Sequence, residues 1–251
     1  MDEKKERSCG IYLALDGMNL ADAGYLCRHV KDLIVGVKIH DLYDREGKPA
    51  VAKLKDSGVH KVWVDFKLHD IPGTVGKRGS VVARMDRSIS VGDNRADIVT
   101  VHASGGVKMM MQAIEHGPDE IFAVTLLTSL SPEEVREIYH ADPQTLVYRW
   151  ATLAGKAGVH GIVCSALEVA MLREMREDPG HPIAASTKLI VPGTRSPGAD
   201  KGDQKRSATP AKAVRDGADI LVIGSEVTKA ADPVAALNRI IKDISTFRSE
   251  S

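Results

Sequence analysis

Aromatic residues are scarce in this sequence of 251 residues, at only 4%. Proteins that bind single-stranded nucleic acid stack the bases on aromatic side chains, so this scarcity argues against such a platform. Neither sign of charge is in excess, because 34 Lys and Arg residues balance 34 Asp and Glu residues. A chain without net charge has no overall field that attracts nucleic acid or an anionic membrane. We therefore expect no nucleic acid and no membrane as a partner.

Cysteine and long apolar runs are equally rare. Cys9, Cys27 and Cys164 are widely spaced and form no CxxC pair, and the nine histidines form no HExxH motif. We therefore predict no metal site, and we expect reduced thiols in a cytoplasmic protein. No apolar run approaches the roughly 20 residues of a membrane-spanning helix. The charged N-terminus lacks the apolar region of a secretory signal.

Short β-branched apolar segments alternate with segments of helical apolar spacing along the chain. The predicted strands cover residues 11–15, 34–39, 61–67, 97–102, 121–127, 161–165, 188–191 and 219–223. Helices are predicted at 107–114, at 132–139 after the N-cap Ser131, and at 211–216 after the N-cap Thr209.

Eight strands that alternate with helices over about 250 residues predict an α/β protein of the (β/α)8 TIM barrel type. A doubly wound open sheet is the alternative, but it usually needs a glycine-rich first turn. Here that turn is Asp16-Gly17-Met18-Asn19. We expect a single domain at 10–243, with polar tails at 1–9 and 244–251.

Polar residues follow the predicted strands, where catalytic groups of such barrels lie. The strand ends carry, in order, Asp16, Lys38, Asp65 with Lys67, His102, Thr128 with Ser129, Ser165, Gly193 and Gly224. Asp65 and Lys67 are two residues apart, so both side chains point the same way in a strand. Lys38 lies in an apolar strand and needs an anionic partner, either Asp16 or Asp65. Asp16 alone could instead be a helix N-cap. The ring of strand ends predicts an active site.

A long, glycine-rich and basic segment, residues 191–206, leaves the seventh strand. The loops after strands seven and eight form the usual phosphate site of such barrels. We predict that this segment closes over a ligand, towards which Arg195 and Gln204 point.

Several motifs occur in a fixed order between about residues 10 and 240. They are Asp65-x-Lys67-x-x-Asp70-Ile71-Pro72-x-Thr74, Leu15-Asp16, Val37-Lys38-Ile39, Val101-His102-Ala103, the 124–129 segment with Thr128 and Ser129, Pro192-Gly193-Thr194-Arg195, and Asp203-Gln204-x-Arg206. Together they resemble the orotidine 5′-phosphate decarboxylase family. The Asp-x-Lys-x-x-Asp part is shared with related sugar-phosphate decarboxylases and synthases, whereas the Ile-Pro-x-Thr continuation is more specific.

The resemblance implies a decarboxylase that converts orotidine 5′-monophosphate to uridine 5′-monophosphate in pyrimidine synthesis without a cofactor. It implies that Lys67 protonates C6 of the pyrimidine, within a charged network of Asp65, Asp70 and Lys38.

The resemblance also implies how the substrate is held. Asp16 and Lys38 would bind the ribose hydroxyls, Thr128 and Ser129 the pyrimidine edge, and Gln204 both base and phosphate. Pro192, Arg195, Gly224 and Ser225 complete the implied substrate-binding set, with Arg195 in the closing loop. A homodimer is implied as well, in which Asp70, Ile71 and Thr74 reach the neighbouring active site.

One position departs from the family pattern. After the eighth strand the family typically has Gly-Arg, whose arginine grips the phosphate, but here Ser225 follows Gly224 and precedes Glu226. Serine offers a hydroxyl but no charge. Lys229, Lys205 and Arg206 are candidate replacements. Two alternatives stay open. One is a metal-dependent relative such as a 3-keto-gulonate 6-phosphate decarboxylase or hexulose-phosphate synthase. The other is a phosphate-site variant with weakened or lost activity.

Overall fold

The computed structural model describes residues 9–85, 92–197 and 208–246. Eight parallel strands close into a barrel in which each strand pairs with its neighbours along the chain and β1 pairs with β8. The strands are β1 (Gly10–Ala14), β2 (Gly36–Ile39), β3 (Val62–Leu68), β4 (Ile98–His102), β5 (Glu120–Val124), β6 (Gly161–Val163), β7 (Lys188–Pro192) and β8 (Ile220–Ile223).

Helices connect the strands on the outside of the barrel. In the described ranges they are α1 (Leu20–Val30), α2 (Asp41–Glu46), α3 (Lys48–Asp56), α4 (Pro72–Ala83), α5 (Val107–His116), α6 (Pro132–Tyr139), α7 (Pro143–Ala157), α8 (Val169–Glu177), α9 (Pro210–Asp216), α10 (Ser225–Thr228) and α11 (Pro233–Thr246). Short 3₁₀ turns lie at Lys31–Leu33 and Ala103–Gly105. Among the helices of these ranges, none has the length and apolar character that crossing a bilayer requires.

The predicted (β/α)8 barrel is confirmed, and the open-sheet alternative is wrong because β1 and β8 close the sheet. All eight predicted strands are present. β5 ends at Val124 rather than at residue 127, because the following residues leave the sheet and form part of a cavity wall. The last helix continues to Thr246, past the predicted domain end at 243, and Ile244 on it is buried.

Two hydrophobic layers hold the barrel together. The larger layer lies between the strands and the surrounding helices, and the smaller one fills the interior. Three of the few aromatic side chains stack inside the barrel. Trp63 packs edge-on against Tyr12, with ring centroids 5.7 Å apart, and against Phe122, at 5.1 Å. The interior below the strand ends is therefore packed with side chains.

Helix starts follow the predicted capping residues. Ser131 and Glu134 form a complete capping box at the start of α6, and the Thr209 side chain accepts a hydrogen bond from the Lys212 N–H at the start of α9. The N-cap of α1 is Asn19, whose side chain accepts a hydrogen bond from the Asp22 N–H. The alternative interpretation of Asp16 as an N-cap is therefore wrong.

Candidate functional site

A cavity of about 420 Å³ opens at the C-terminal ends of the strands. Most of the predicted site residues line it, namely Asp16, Lys38, Asp65, Lys67, Thr128, Pro192, Arg195, Gly224 and Ser225. They come from six different strand ends, which the closure of the barrel brings to one place. Because the strands are parallel, residues that are up to 209 positions apart in the chain face the same space.

The charges in the cavity alternate in sign. The Lys38 Nζ lies 3.0 Å from Asp16 Oδ2 and 3.1 Å from Asp65 Oδ2. The Lys67 Nζ lies 2.7 Å from the same Asp65 oxygen. Lys38 and Asp65 are buried, whereas the side chain of Lys67 is 36% exposed. The resulting order is Asp16, Lys38, Asp65, Lys67, in which Lys67 carries the more exposed of the two ammonium groups.

Burial and pairing act in opposite directions on this network. Burial alone would raise the pKa of Asp65, but Lys38 and Lys67 outweigh it and lower that pKa to about 2. Burial alone would lower the pKa of Lys38, yet the carboxylates of Asp65 and Asp16 raise it. Both groups therefore keep their charges at neutral pH, although water barely reaches them.

Lys67 has an unusual backbone conformation, with a φ of 50°. Val64 pairs with Val99, but Leu68 pairs with Val101, so β3 carries two more residues than β4 between these pairs. The extra length is a bulge that contains Asp65 and Lys67. Left-handed backbone at a lysine is uncommon and concentrates at functional sites.

Four predicted site residues lie outside the cavity of their own chain. Asp70 is exposed, and its carboxylate accepts a hydrogen bond from the Ile71 N–H at 2.6 Å. Ile71 is 69% exposed, and Thr74 lies one turn further along the same helix. Ser129 is exposed next to Thr128. Gln204 lies outside the described residues.

The loop after β7 begins with Gly193, which lines the cavity and has a φ of 74° that favours glycine. The Arg195 N–H donates to the Ala208 carbonyl at 3.0 Å, and the Arg195 side chain lines the cavity. The Ser196 N–H donates to the Glu226 carboxylate at 3.3 Å. Glu226 is not among the cavity-lining residues, and its carboxylate instead contacts the backbone of the loop after β7.

Sequence reasoning overlooked three groups near the charged network. Trp63 and Thr100 line the inner part of the cavity. Thr100 lies two residues after Ile98 on β4, so both side chains face the barrel interior. This spacing was the sequence signal that could have identified Thr100. His40, just after β2, donates from Nδ1 to the Asp65 carbonyl at 2.7 Å. Among the described residues, no group of three or more His, Cys, Asp or Glu side chains could hold a metal ion.

The model of the orotidine 5′-phosphate decarboxylase / HUMPS family matches residues 10–240, which include every strand and the whole cavity. The chain belongs to this family. The resemblance that the motifs predicted is thereby confirmed. Within the family, the protein named orotidine 5′-phosphate decarboxylase from Idiomarina loihiensis is 38% identical over 241 residues, which cover 93% of this chain and 97% of that protein.

Two further relatives of the same name span nearly the whole chain. The protein from Anaeromyxobacter sp. (strain K) is 40% identical over 240 residues, or 94% of this chain and 96% of its own length. The crystal structure of orotidine 5′-phosphate decarboxylase from Lactobacillus acidophilus has a TM-score of 0.74 at 28% identity and covers 94% of this chain and 99% of that one.

Proposed function

We propose that this protein decarboxylates orotidine 5′-monophosphate to uridine 5′-monophosphate in pyrimidine synthesis, as a carbon–carbon lyase that needs no cofactor. The observation that carries the proposal is the charge order Asp16, Lys38, Asp65, Lys67 in one cavity. Relatives named for this activity at 38–40% identity support it. We place the reaction in the cytoplasm, in keeping with three cysteines, all described, that form no disulfide.

The proposed chemistry centres on Lys67. The bond between C6 and the substrate carboxylate breaks, its electron pair stays on C6, and carbon dioxide leaves. The Lys67 ammonium then gives a proton to C6 and is recharged from water. A fixed positive charge is most effective where water is excluded and negative charge develops. Asp65 contacts Lys67 at 2.7 Å and so fixes that charge in place.

The remaining cavity residues would bind the nucleotide. Asp16 and Lys38 would hold the ribose hydroxyls, and Thr128 with Ser129 would meet the pyrimidine edge. Pro192 and Arg195 would lie over the ligand, with Gln204 bridging base and phosphate. Binding energy from the phosphate would offset the cost of closing and desolvating the site.

The phosphate end needs positive charge that Ser225 cannot supply. Gly224, Ser225 and Lys229 all line the cavity, and Lys229 forms no ion pair with any described residue. Glu226 points its carboxylate to the Ser196 N–H instead of into the cavity. We therefore assign the cationic contact to Lys229 and Arg195, with the Ser225 hydroxyl as an additional donor.

We further propose a homodimer in which Asp70, Ile71 and Thr74 complete the partner's site. Ile71, Thr74, Arg78 and Val81 are spaced three, four and three residues apart, so they share one face at α4. Ile71 and Val81 are 69% and 58% exposed. An exposed face of this kind, with an apolar residue at each end and continuous with Asp70, suits contact with a second copy of the chain.

Replacement of Lys67 by alanine tests the reaction. Turnover in an orotidylate absorbance assay should be abolished while the circular dichroism spectrum stays unchanged. Near-normal turnover in this variant would sink the mechanism. The wild-type assay should be repeated with a chelator, because the sugar-phosphate relatives use a divalent metal. Loss of activity on chelation would favour those relatives.

A further inference from the structure

Thr100 and Trp63 are linked by a hydrogen bond beside the charged network. The Trp63 Nε1–H donates to the Thr100 Oγ1 at 2.6 Å. Both residues are 1% exposed, and Asp65 is 5% exposed. A hydrogen bond between side chains in such a dry environment is strong, and each group depends on its partner. Neither residue was needed for the chemistry described above.

Thr100 lies opposite the part of β3 that contains Asp65. Val64 pairs with Val99 and Leu68 pairs with Val101, so Thr100 is the β4 residue that faces the bulge at residues 65–67. Trp63, Asp65 and Thr100 all line the same cavity. A hydrogen bond from the Thr100 hydroxyl is among the interactions that lower the pKa of Asp65, after the effects of burial, Lys38 and Lys67.

The direction of the hydrogen bonds follows from the donors. An indole N–H can only donate, so the Thr100 oxygen must accept from Trp63. The single hydroxyl proton of Thr100 is then left to point away from the indole, and Asp65 is the acidic acceptor beside it. Trp63 thereby fixes the orientation of the hydroxyl that faces the carboxylate.

Asp65 has a geometric need for this hydroxyl. Lys38 and Lys67 both contact its Oδ2 atom, at 3.1 and 2.7 Å. Because both cations contact the same oxygen, they only weakly restrict rotation of the Asp65 carboxylate about its Cβ–Cγ bond. A donor on β4 would add a third contact to those from β2 and from the bulge of β3.

We propose that Thr100 and Trp63 are positioning residues that hold the Asp65 carboxylate so that it keeps the Lys67 ammonium aimed at the reacting carbon. The proposal rests on the proposed function. It assigns no contact with substrate to either residue. Their effect passes through Asp65 to Lys67, so it should appear in the chemical step more than in binding.

The test compares Thr100→Val with Thr100→Ser. Valine keeps the shape and removes the hydroxyl, whereas serine keeps the hydroxyl. We expect Thr100→Val to lower kcat about tenfold with little change in the dissociation constant of uridine 5′-monophosphate, and Thr100→Ser to stay within about twofold of wild type. Trp63→Phe should lower kcat less. The double variant Trp63→Phe/Thr100→Val should match Thr100→Val, because both changes act on one path.

A second readout needs no turnover. The pKa of Asp65, followed by carbon NMR of labelled aspartate in the free protein, should rise in Thr100→Val and return in Thr100→Ser. Lys38, Lys67 and His102 are the other titratable groups that act on Asp65, and these variants leave all three in place. Thermal unfolding of each variant identifies losses that come from instability alone.

The outcomes separate this inference from the proposed function. If wild-type protein shows no orotidylate turnover, the proposed function fails, and the NMR comparison still tests the link from Thr100 to Asp65. If Thr100→Val keeps wild-type kcat and an unchanged Asp65 pKa, the positioning role is wrong. A lower melting temperature with unchanged kcat and pKa would equally contradict it, because it would make the hydrogen bond purely structural.

Discussion

The Lys67 Nζ lies 2.7 Å from Asp65 Oδ2, and Lys67 reaches this position from a backbone with a φ of 50°. Left-handed conformations cost a side-chain-bearing residue on the order of 1–2 kcal/mol. Such strain persists only where the surrounding structure imposes it. Here the bulge in β3 imposes the strain, so the position of the Lys67 ammonium costs the protein some folding stability.

The strain at Lys67 predicts a difference between two inactive variants. Lys67→Gly should be more stable to urea than Lys67→Ala by about 0.5–1 kcal/mol, because glycine avoids the cost of the left-handed backbone, and this gain exceeds the larger entropy that glycine loses on folding. Lys53, an exposed residue within α3, is the matched control. There Lys53→Gly should be less stable than Lys53→Ala by about 1 kcal/mol. The same order at both positions would mean that Lys67 is unstrained.

The barrel was predictable because its evidence is spread along the chain. Eight apolar segments with helical segments between them specify the architecture even where strand ends shift by a few residues. The directions of Asp65 and Lys67 also followed from strand alternation. The bulge did not, because the extra residues of β3 are defined only by pairing with β4.

The contacts that join distant strands were the least predictable part of the site. Thr100 looked like any β-branched strand residue, and its role depends on Trp63, 37 positions away. Whether Glu226 opposes a phosphate depends on the Ser196 N–H, which the loop after β7 brings to it. The position of Lys38 in an apolar strand predicted an acidic partner, and the structure supplies both candidates, Asp16 and Asp65.

The low pKa of Asp65 predicts how stability changes with pH. Its folded value of about 2 lies below the usual value near 3.9, so its stabilising effect is fully present above about pH 4 and is lost as pH falls towards 2. This difference in pKa corresponds to roughly 2–3 kcal/mol of unfolding free energy. Asp65→Asn should therefore remove that part of the decline in unfolding free energy between pH 4 and 2.

Urea unfolding at several pH values measures this effect. Asp44→Asn changes an exposed carboxylate of α2 that is not part of the network, so this control removes the same charge and should keep the wild-type profile. If the unfolding free energy of Asp65→Asn fell as steeply with acid as that of wild type, the ion pairs of Asp65 with Lys38 and Lys67 would contribute nothing to folding stability.

Lys229 should be required for binding the phosphate of the substrate and not for binding its base. Lys229→Met should raise KM for orotidine 5′-monophosphate about tenfold, with a smaller effect on kcat. The unphosphorylated nucleoside should show no change, because the lost charge has no partner there. Lys53→Met is the control for loss of a surface lysine.

Adding an arginine tests the same assignment from the other side. Ser225→Arg in the Lys229→Met background should restore KM, because the guanidinium would enter the cavity that Ser225 lines. Equal effects of Lys229→Met on nucleotide and nucleoside would contradict a phosphate contact. In that case Arg195 would remain as the cation of this end of the cavity.

Shared active sites predict recovery of activity when two inactive proteins are mixed. Lys67→Ala and Asp70→Ala should each be inactive as homodimers. In a mixed dimer, one site would contain the intact Lys67 of one subunit and the intact Asp70 of the other. Random exchange makes half of the dimers mixed, each with one intact site of two, so about a quarter of wild-type activity should return. Light scattering should report a dimer throughout.

The control for this experiment mixes two variants that damage the same side of the site. Lys67→Ala with Asp65→Asn should recover nothing, because Asp65 and Lys67 come from one strand and pair within one chain at 2.7 Å. Recovery in the control would point to contamination or repair. Failure of the Lys67→Ala and Asp70→Ala mixture, with subunit exchange verified, would return Asp70 to its own chain. There its carboxylate accepts a hydrogen bond from the Ile71 N–H.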